Sequence, residues 1–194
     1  GRTLARMHRV SSTVAPRPEH RRWHWYEEDL VANARRYIPA DDTVSLREFD
    51  DLAGLLHGLP VNPRTYGLTH ADLGAQNFHY SPKNGITVFD FGNCCYHWYA
   101  SDIAISLSTL RRCTPEQRAI YREWILAGYE EVFPLDPAAG KHLDTFIRWR
   151  VLYVYLDRLE RFGPTPTPEQ RRIVDTLRER VHRQAAGLSD ETVS

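Results

Sequence analysis

Apolar side chains recur every three or four residues along most of the chain, and this spacing predicts a mainly helical fold. In one such segment, Leu52 and Leu56 share a helical face, and Pro60 ends the pattern. Two other segments have strong start signals, since Thr114 and Thr167 each precede a proline and lie three residues before a glutamine. The helices predicted in this way cover residues 23–38, 43–58, 102–112, 115–132, 141–162 and 168–185.

A strand pattern occurs only around one predicted hairpin. Residues 77–80 alternate between polar and aromatic side chains, and residues 86–89 are β-branched or aromatic. Between them, residues 81–85 have the composition of a turn. The sequence therefore predicts a mainly α fold with a small β-hairpin element.

Composition and charge exclude several classes of partner. The chain has 194 residues with 25 basic and 25 acidic side chains, so no global charge favours nucleic acid or an anionic membrane. The basic stretch at residues 17–24 is expected to be a solvated helix start. No apolar run reaches membrane-spanning length, and three cysteines, with Cys94 and Cys95 adjacent, form no disulfide framework. We expect a cytoplasmic protein without nucleic acid or membrane partners.

Polar side chains that suit one metal site lie at the open end of the predicted hairpin. His70, Asp72 and Asn77 fit the pattern H-x-D-x-x-x-x-N, and Asp90 opens an Asp-Phe-Gly triplet. Because a hairpin brings its two ends together, we expect Asn77 and Asp90 to lie side by side. Carboxylate and amide oxygens are ligands that Mg²⁺ prefers. The alternative is an ordinary surface hairpin that ends in an asparagine and an aspartate.

Three runs of residues carry a resemblance to a known family. They are GLTHAD at residues 67–72, VFDFGNC at residues 88–94 and YHWYASDIA at residues 96–104. These runs resemble the C-terminal lobe of the aminoglycoside phosphotransferase and choline kinase-like superfamily, in particular its homoserine kinase type II and stress-response kinase branch. Residues 1–8 resemble the LaxLH helix of the same family. The resemblance implies a protein-kinase-like C-terminal lobe.

The resemblance implies roles for five polar side chains. Asp72 would orient an acceptor hydroxyl and take its proton, while Asn77 and Asp90 would bind Mg²⁺. His70 would brace the catalytic loop, and Asp102 would hold the backbone of that loop through hydrogen bonds. Taken alone, these residues also allow other interpretations: Asp72 as a turn or helix cap, His70 as a hydrogen-bonded core residue, and Asp102 as an N-cap. No further nucleotide-binding or substrate-binding residues are predicted.

The activity that the resemblance implies is ATP-dependent transfer of the γ-phosphate to a hydroxyl of a small molecule. The acceptor would be an amino alcohol or an aminoglycoside-like compound, and the cofactors would be Mg²⁺ and ATP. A catalytically silent kinase-fold binding or regulatory domain is the alternative. A metal-dependent hydrolase is disfavoured, because the sequence offers no second cluster of acidic or histidine ligands. Ala71, Gly74 and Asn93 depart from residues common in the family, but none removes an oxygen ligand.

Four acidic side chains could favour binding of a cationic acceptor, but each can also be explained as ordinary surface charge. These candidates are Glu130, Glu131, Asp136 and Asp144.

The chain begins where the second lobe of the family begins, and no Gly-rich loop or strand lysine comes first. We therefore expect the N-terminal ATP-clamping lobe to be absent and the isolated chain to have little or no activity. Self-association through the face that this lobe would cover is also expected. The predicted organisation is a kinase-like C-lobe over residues 1–186, with a helical lead-in (1–65), a catalytic loop and metal hairpin (66–104) and a helical subdomain (105–186), followed by a tail (187–194).

Overall fold

The computed structural model describes residues 1–14 and 18–188, and its internal contacts divide the chain into two units. One unit contains residues 1–25 and 60–147, and the other contains residues 26–59 and those from 148 onward. The helices are α1 (Arg2–Ser11), α2 (Asp29–Ala32), α3 (Ala34–Tyr37), α4 (Thr43–His57), α5 (Tyr99–Ser108), α6 (Pro115–Glu130), α7 (Pro137–Lys141), α8 (Leu143–Phe162) and α9 (Pro168–Ala185). The strands are β1 (Tyr66–Thr69), β2 (Phe78–Ser81), β3 (Gly85–Val88) and β4 (Cys95–Trp98).

The prediction of a mainly helical fold is confirmed, and the helices with strong start signals begin where the sequence indicates. The Thr114 hydroxyl accepts a hydrogen bond from Gln117 N (3.3 Å), and the Thr167 hydroxyl accepts one from Gln170 N (3.2 Å). Each glutamine Oε1 in turn accepts a bond from the threonine amide, at 3.0 and 2.8 Å. These reciprocal bonds satisfy amide groups that a helix start otherwise leaves unpaired.

The prediction of one helix over residues 23–38 is wrong. His24 forms an isolated bridge with Tyr96 of β4. Tyr96 N donates to Trp23 O and Trp25 N donates to Tyr96 O, both at 2.9 Å. Only the short helices α2 and α3 form in the remainder of the segment. Backbone bonds to a strand distant in sequence thus replace those that a continuous helix would make. Among residues 18–24 of the basic stretch, Pro18–His20 form a single 3-10 turn, and the expected α-helix does not begin there.

The described residues contain two antiparallel two-stranded sheets, whereas the sequence predicts one. The predicted hairpin is β2·β3, in which Phe78 pairs with Val88. The second sheet, β1·β4, pairs Tyr66 with Trp98 and continues directly into α5, which begins at Tyr99 instead of at the predicted residue 102. Both strands of β1·β4 are mostly buried, so they lack the polar–apolar alternation of a half-exposed strand.

Gly67 in β1 packs so closely against neighbouring side chains that no Cβ atom fits. A Cβ there would lie 2.1 Å from Tyr99 Oη and 2.9 Å from Ser11 Oγ. Both hydroxyl oxygens are buried, so neither side chain can simply swing into solvent. This contact fixes β1 against α1 and α5, just before the chain enters the candidate site.

His97 in β4 belongs to an aromatic cluster of the same unit. Its ring centroid lies 5.6 Å from that of Trp25 and 5.8 Å from that of Phe146. Its Nδ1 accepts a hydrogen bond from Trp98 N (2.8 Å), so the proton of the neutral ring is on Nε2. Burial lowers the pKa of His97 to about 3, and the ring is therefore neutral at pH 7.

In the second unit, Asp42 joins three helices. It is the N-cap of α4, where its Oδ1 accepts a hydrogen bond from Ser45 N (3.1 Å). The same carboxylate accepts a bond from His182 Nε2 of α9 (2.7 Å) and one from Tyr155 Oη of α8 (2.8 Å). One buried acidic group therefore connects α4, α8 and α9.

None of the helices in the described part of the chain combines the length and apolar character needed to cross a membrane. The predicted boundaries after residues 65, 104 and 186 stay predictions. Within the predicted tail, residues 189–194 lie outside the described residues.

Candidate functional site

The loop that follows β1 is held by a buried carboxylate from α5. Asp102 Oδ2 accepts a hydrogen bond from His70 N (2.7 Å), and Oδ1 accepts one from Ala71 N (2.8 Å). Asp102 is completely buried in the first turn of α5, where Trp98 occupies the N-cap position, so the N-cap interpretation is wrong. Both oxygens of Asp102 thus fix the backbone immediately before Asp72.

Two further buried side chains support this carboxylate. His8 Nε2 lies 3.0 Å from Asp102 Oδ2, and His8 Nδ1 lies 2.7 Å from Tyr129 Oη. Because a carboxylate only accepts, Nε2 carries a proton and donates it to Asp102, while Nδ1 forms the hydrogen bond with the tyrosine hydroxyl. Burial alone would raise the pKa of Asp102, but the hydrogen bonds from His8 and the loop amides outweigh burial and lower it.

The sequence did not indicate this support, because it assigned no role to His8. The only sequence signal was the likeness of residues 1–8 to the LaxLH helix. The polar partner of His8 lies 94 residues away along the chain, so local spacing cannot indicate it.

His70 links the loop to the end of the hairpin. Its Nδ1 accepts a hydrogen bond from Asp72 N (3.3 Å), which leaves the ring proton on Nε2. Nε2 lies 3.0 Å from Phe89 O and donates to it. The buried ring also lies 4.7 Å, centroid to centroid, from the ring of Phe91. Both ring nitrogens are used for these structural bonds, in agreement with a hydrogen-bonded core residue.

The Asn77 carboxamide connects the loop to the hairpin from the other side. Its Nδ2 donates to Asp72 O (2.7 Å) and to Asp72 Oδ2 (3.1 Å). Both bonds use Nδ2, so they leave the acceptor Oδ1 of the same amide uncommitted to Asp72. Phe89 N donates to Asn77 O (3.1 Å), which places Asp90 one residue beyond this contact. The structure therefore brings Asp72, Asn77 and Asp90 to the same end of the hairpin.

Two residues of this region have a left-handed backbone. Ala71 and Asp90 both have φ of 62°, and among the described residues they are the only non-glycine residues with positive φ. Such a conformation costs about 1–2 kcal/mol for a residue with a side chain. It persists only where neighbouring contacts fix the backbone, and strain of this kind is concentrated at functional sites.

The oxygen atoms at the hairpin end suit a hard divalent cation that keeps other ligands. Asp90 is exposed and offers a carboxylate, and Asn77 offers its Oδ1. Within residues 1–14 and 18–188, no group of three or more His, Cys, Asp or Glu side chains could hold a metal by itself. Mg²⁺ is commonly held by one or two protein oxygens together with phosphate oxygens and water, so two protein ligands are sufficient.

The four acidic side chains considered for a cationic acceptor each have a local structural partner. This agrees with surface charge as their explanation. The contacts are Glu131 with Arg2 (2.8 Å), Asp144 with Arg122 (3.3 Å), Glu130 with the Leu135 amide (3.1 Å), and Asp136 with the amides of Ala138 (2.8 Å) and Ala139 (3.3 Å).

Comparison with known proteins identifies the family. Residues 1–141 match the phosphotransferase enzyme family known as APH. The chain belongs to this family. The resemblance found in the sequence is thereby confirmed.

Two characterised relatives are kinases of small molecules. The chain is 32% identical over 163 residues to amicoumacin kinase of Bacillus subtilis (strain 168), covering 80% of this chain and 48% of the relative. It is 31% identical over 130 residues to homoserine kinase of Caulobacter sp. (strain K31), covering 63% of this chain and 40% of the relative. The chain therefore spans about half the length of the curated relatives it matches.

Solved structures support the same fold. Amicoumacin kinase hAmiN, in complex with AMP-PNP, Ca²⁺ and Ami, matches with a TM-score of 0.83 at 30% identity, over 94% of this chain and 57% of that one. A microcompartment-associated aminopropanol kinase matches with a TM-score of 0.76 at 24% identity, over 96% of this chain and 61% of that one. The kinase-like fold class predicted from the sequence is confirmed.

Proposed function

We propose that this chain carries the acceptor and metal side of an ATP-dependent small-molecule kinase. The observation that carries the proposal is the pair of contacts made by Asn77. Its side-chain Nδ2 donates to Asp72 Oδ2 (3.1 Å), and its backbone O accepts from the amide of Phe89, the residue before Asp90. One residue thus joins a candidate catalytic carboxylate to a candidate metal ligand. Membership of the phosphotransferase family supports this assignment.

Asp72 would hold the acceptor hydroxyl by accepting a hydrogen bond from it. A carboxylate is too weak a base to remove the proton of a free hydroxyl in advance. Asp72 would instead orient the hydroxyl oxygen toward the γ-phosphorus and accept the proton as the new O–P bond forms and the bond to ADP breaks. The backbone bonds from Asp102 would keep the loop before Asp72 in one position during this step.

Asp90, through its carboxylate, and Asn77, through Oδ1, would hold Mg²⁺, while Asn77 Nδ2 would keep its bond to Asp72. When bound, the cation neutralises negative charge on the phosphate oxygens. The nucleotide and Ca²⁺ in the solved amicoumacin kinase support a nucleotide and a divalent cation as cofactors here. His70 and Asp102 would position the site without contacting substrate.

The acceptor would be a small molecule that has both a hydroxyl and an amine. Homoserine and aminopropanol, for which two of the similar kinases are named, are amino alcohols. We therefore propose an amino alcohol or an aminoglycoside-like compound as acceptor. Self-association and a cytoplasmic location stay predictions.

The test is ADP release from ATP and Mg²⁺ across a panel of hydroxyl acceptors, measured on the complete gene product that contains this chain. Asp72→Asn should lower kcat by about 1,000-fold, the middle of the range for loss of a catalytic acid–base group. Asp51→Asn, on the exposed surface of α4, is the matched control and should leave kcat unchanged. Undiminished turnover in Asp72→Asn would contradict the proposed role.

The same experiment distinguishes the catalytically silent alternative. Mg²⁺-dependent nucleotide binding without transfer to any acceptor would identify a binding or regulatory domain. We expect the 194-residue chain by itself to show little or no turnover. Its two lysines, Lys83 and Lys141, lie in the hairpin turn and at the end of α7, not on a strand where kinases place the lysine that pairs with ATP phosphates.

A further inference from the structure

Arg22 directly precedes the residues that form a bridge with β4 at His24. The next residue, Trp23, accepts a bond from Tyr96 N at 2.9 Å, so the backbone beside Arg22 is anchored to a buried sheet. The guanidinium carbon of Arg22 lies 5.1 Å from the ring centroid of Trp23, which restricts the direction of the side chain. The sequence pattern gave no role to this arginine beyond a solvated basic stretch.

The Arg22 side chain contacts the segment that contains the candidate metal ligand. Its Nη2 donates to Phe91 O (3.1 Å), and Cys94 N donates to the same oxygen (3.1 Å). The backbone carbonyl of Phe91, the residue after Asp90, is therefore held by two donors. Of these donors, Arg22 Nη2 belongs to a side chain and Cys94 N to the backbone.

Asp90 is thus held on both sides. Before it, Phe89 N donates to Asn77 O (3.1 Å), and Phe89 O accepts from His70 Nε2 (3.0 Å). After it, Phe91 O accepts from Arg22. Because the left-handed backbone of Asp90 (φ 62°) is unfavourable, it depends on these flanking contacts.

We infer that Arg22 is a positioning residue for the Asp90 carboxylate. It acts through Phe91 O, by holding the turn that directs Asp90 toward the cation, and does not contact the cation itself. This inference rests on the proposed function, in which Asp90 is a metal ligand. Side chains that orient a metal ligand in this way commonly change metal affinity 10- to 100-fold when they are removed.

The charge of Arg22 makes the inference testable by its sign. If the guanidinium acted only as a nearby positive charge, removing it would strengthen the binding of a cation. If it positions Asp90, removing it weakens that binding.

The experiment titrates the complete gene product that contains this chain with Mn²⁺ at saturating AMP-PNP. Binding is followed by the EPR signal of the free ion and corrected for binding to the nucleotide alone. Arg22→Gln should raise the Kd for Mn²⁺ about 10-fold without a change in far-UV circular dichroism. Arg22→Lys keeps the charge and a donor but not the planar fork, so it should recover part of the loss. Asp90→Asn tests the metal ligand itself, and Arg9→Gln on the exposed end of α1 is the control and should leave the Kd unchanged.

The outcomes separate the two proposals. If Asp90→Asn weakens binding and Arg22→Gln leaves it unchanged or strengthens it, the inference about Arg22 is overturned and the proposed function stands. If Asp90→Asn has no effect, or the unmodified protein with AMP-PNP shows no saturable Mn²⁺ binding beyond that of the nucleotide alone, the metal assignment itself fails. If Arg22→Gln does not fold, Arg22→Lys decides: weaker binding by a folded variant supports the inference, and an unchanged Kd overturns it.

Discussion

The sheets β1·β4 and β2·β3 have strands of equal length but differ in burial and in what lies at their ends. Most of β1·β4 is buried, whereas Tyr80 and Ile86 of β2·β3 are 63% and 44% exposed. The buried sheet has no candidate ligand within its strands, yet it leads directly into His70 on one side and into α5, with Asp102, on the other.

The exposed sheet is bordered by the two candidate metal ligands, Asn77 before β2 and Asp90 after β3. One sheet thus holds the loop backbone, and the other carries the candidate metal ligands at its end. The buried sheet fixes the loop backbone, and the exposed sheet presents the Asp90 carboxylate to solvent, while Asn77 is buried. Changes at the first sheet should therefore alter folding stability, and a change at Asp90 should alter metal binding with little effect on stability.

The largest difference is expected between the aspartates that follow the two sheets. Asp102→Ala should lower the free energy of unfolding by about 3–5 kcal/mol, because it leaves His8 and two loop amides without their buried acceptor. Asp90→Ala should change it by less than about 1 kcal/mol, because this side chain is exposed. Urea unfolding of both variants measures the difference. Equal losses of stability would contradict the anchoring role of Asp102.

A second test compares small side chains within the sheets. Gly67→Ala places a Cβ 2.1 Å from Tyr99 Oη and should lower the free energy of unfolding by about 2–3 kcal/mol. Thr87→Ala, in the exposed strand β3, should lower it by less than about 0.5 kcal/mol. Thermal and urea unfolding provide the measurement. A Gly67→Ala variant as stable as the unmodified chain would show that β1 is not tightly packed.

A third test uses the histidines of the two sheets. The folded pKa of His97 is about 3, below the unfolded value of about 6.5, so protons bind preferentially to the unfolded chain. The stability associated with neutral His97 is present above pH 6.5 and declines as pH falls toward 3. Between pH 7 and pH 5 this decline is about 2 kcal/mol. His97→Phe should remove it from the pH dependence of urea unfolding, whereas His79→Phe, in exposed β2, should retain it.

The smallest expected effect concerns the strained backbone before Asp72. Ala71→Gly should raise the free energy of unfolding by about 0.5–1 kcal/mol, because glycine adopts φ of 62° without the cost of a Cβ. Ala75→Gly, in the same loop but at negative φ, should lower it by a similar amount through unfolded-state entropy. Opposite signs in paired unfolding measurements support this account. A loss of stability in Ala71→Gly would contradict it.

Much of the helical fold and the candidate residues of the site could be predicted because their signals are local. The caps at Thr114 and Thr167 involve side chains three residues apart. The hairpin could be predicted from its turn residues and its β-branched strand. A hairpin in turn predicts that Asn77 lies close to Phe89, the residue before Asp90.

The features that the sequence did not indicate depend on contacts between distant residues. β1 and β4 pair across more than twenty residues, and both are too buried to alternate. The bridge that residues 23–25 form with β4 depends on Tyr96, and the support of Asp102 by His8 spans 94 residues. The spacing of side chains along the chain contains no information on such partners. Helical periodicity therefore predicted the wrong structure for residues 23–38, and the buried hydrogen bonds of His8 were not recognised.

The shared carboxylate of Asp42 has a consequence for how the second unit opens. Separating α9 from α4 would remove His182 and leave a buried negative charge with fewer donors at the start of α4. Fraying of α4 would likewise remove the acceptor of Tyr155 in α8. Because the loss of any one helix removes a hydrogen-bond partner from the others, these three helices should exchange their amide hydrogens as one cooperative unit.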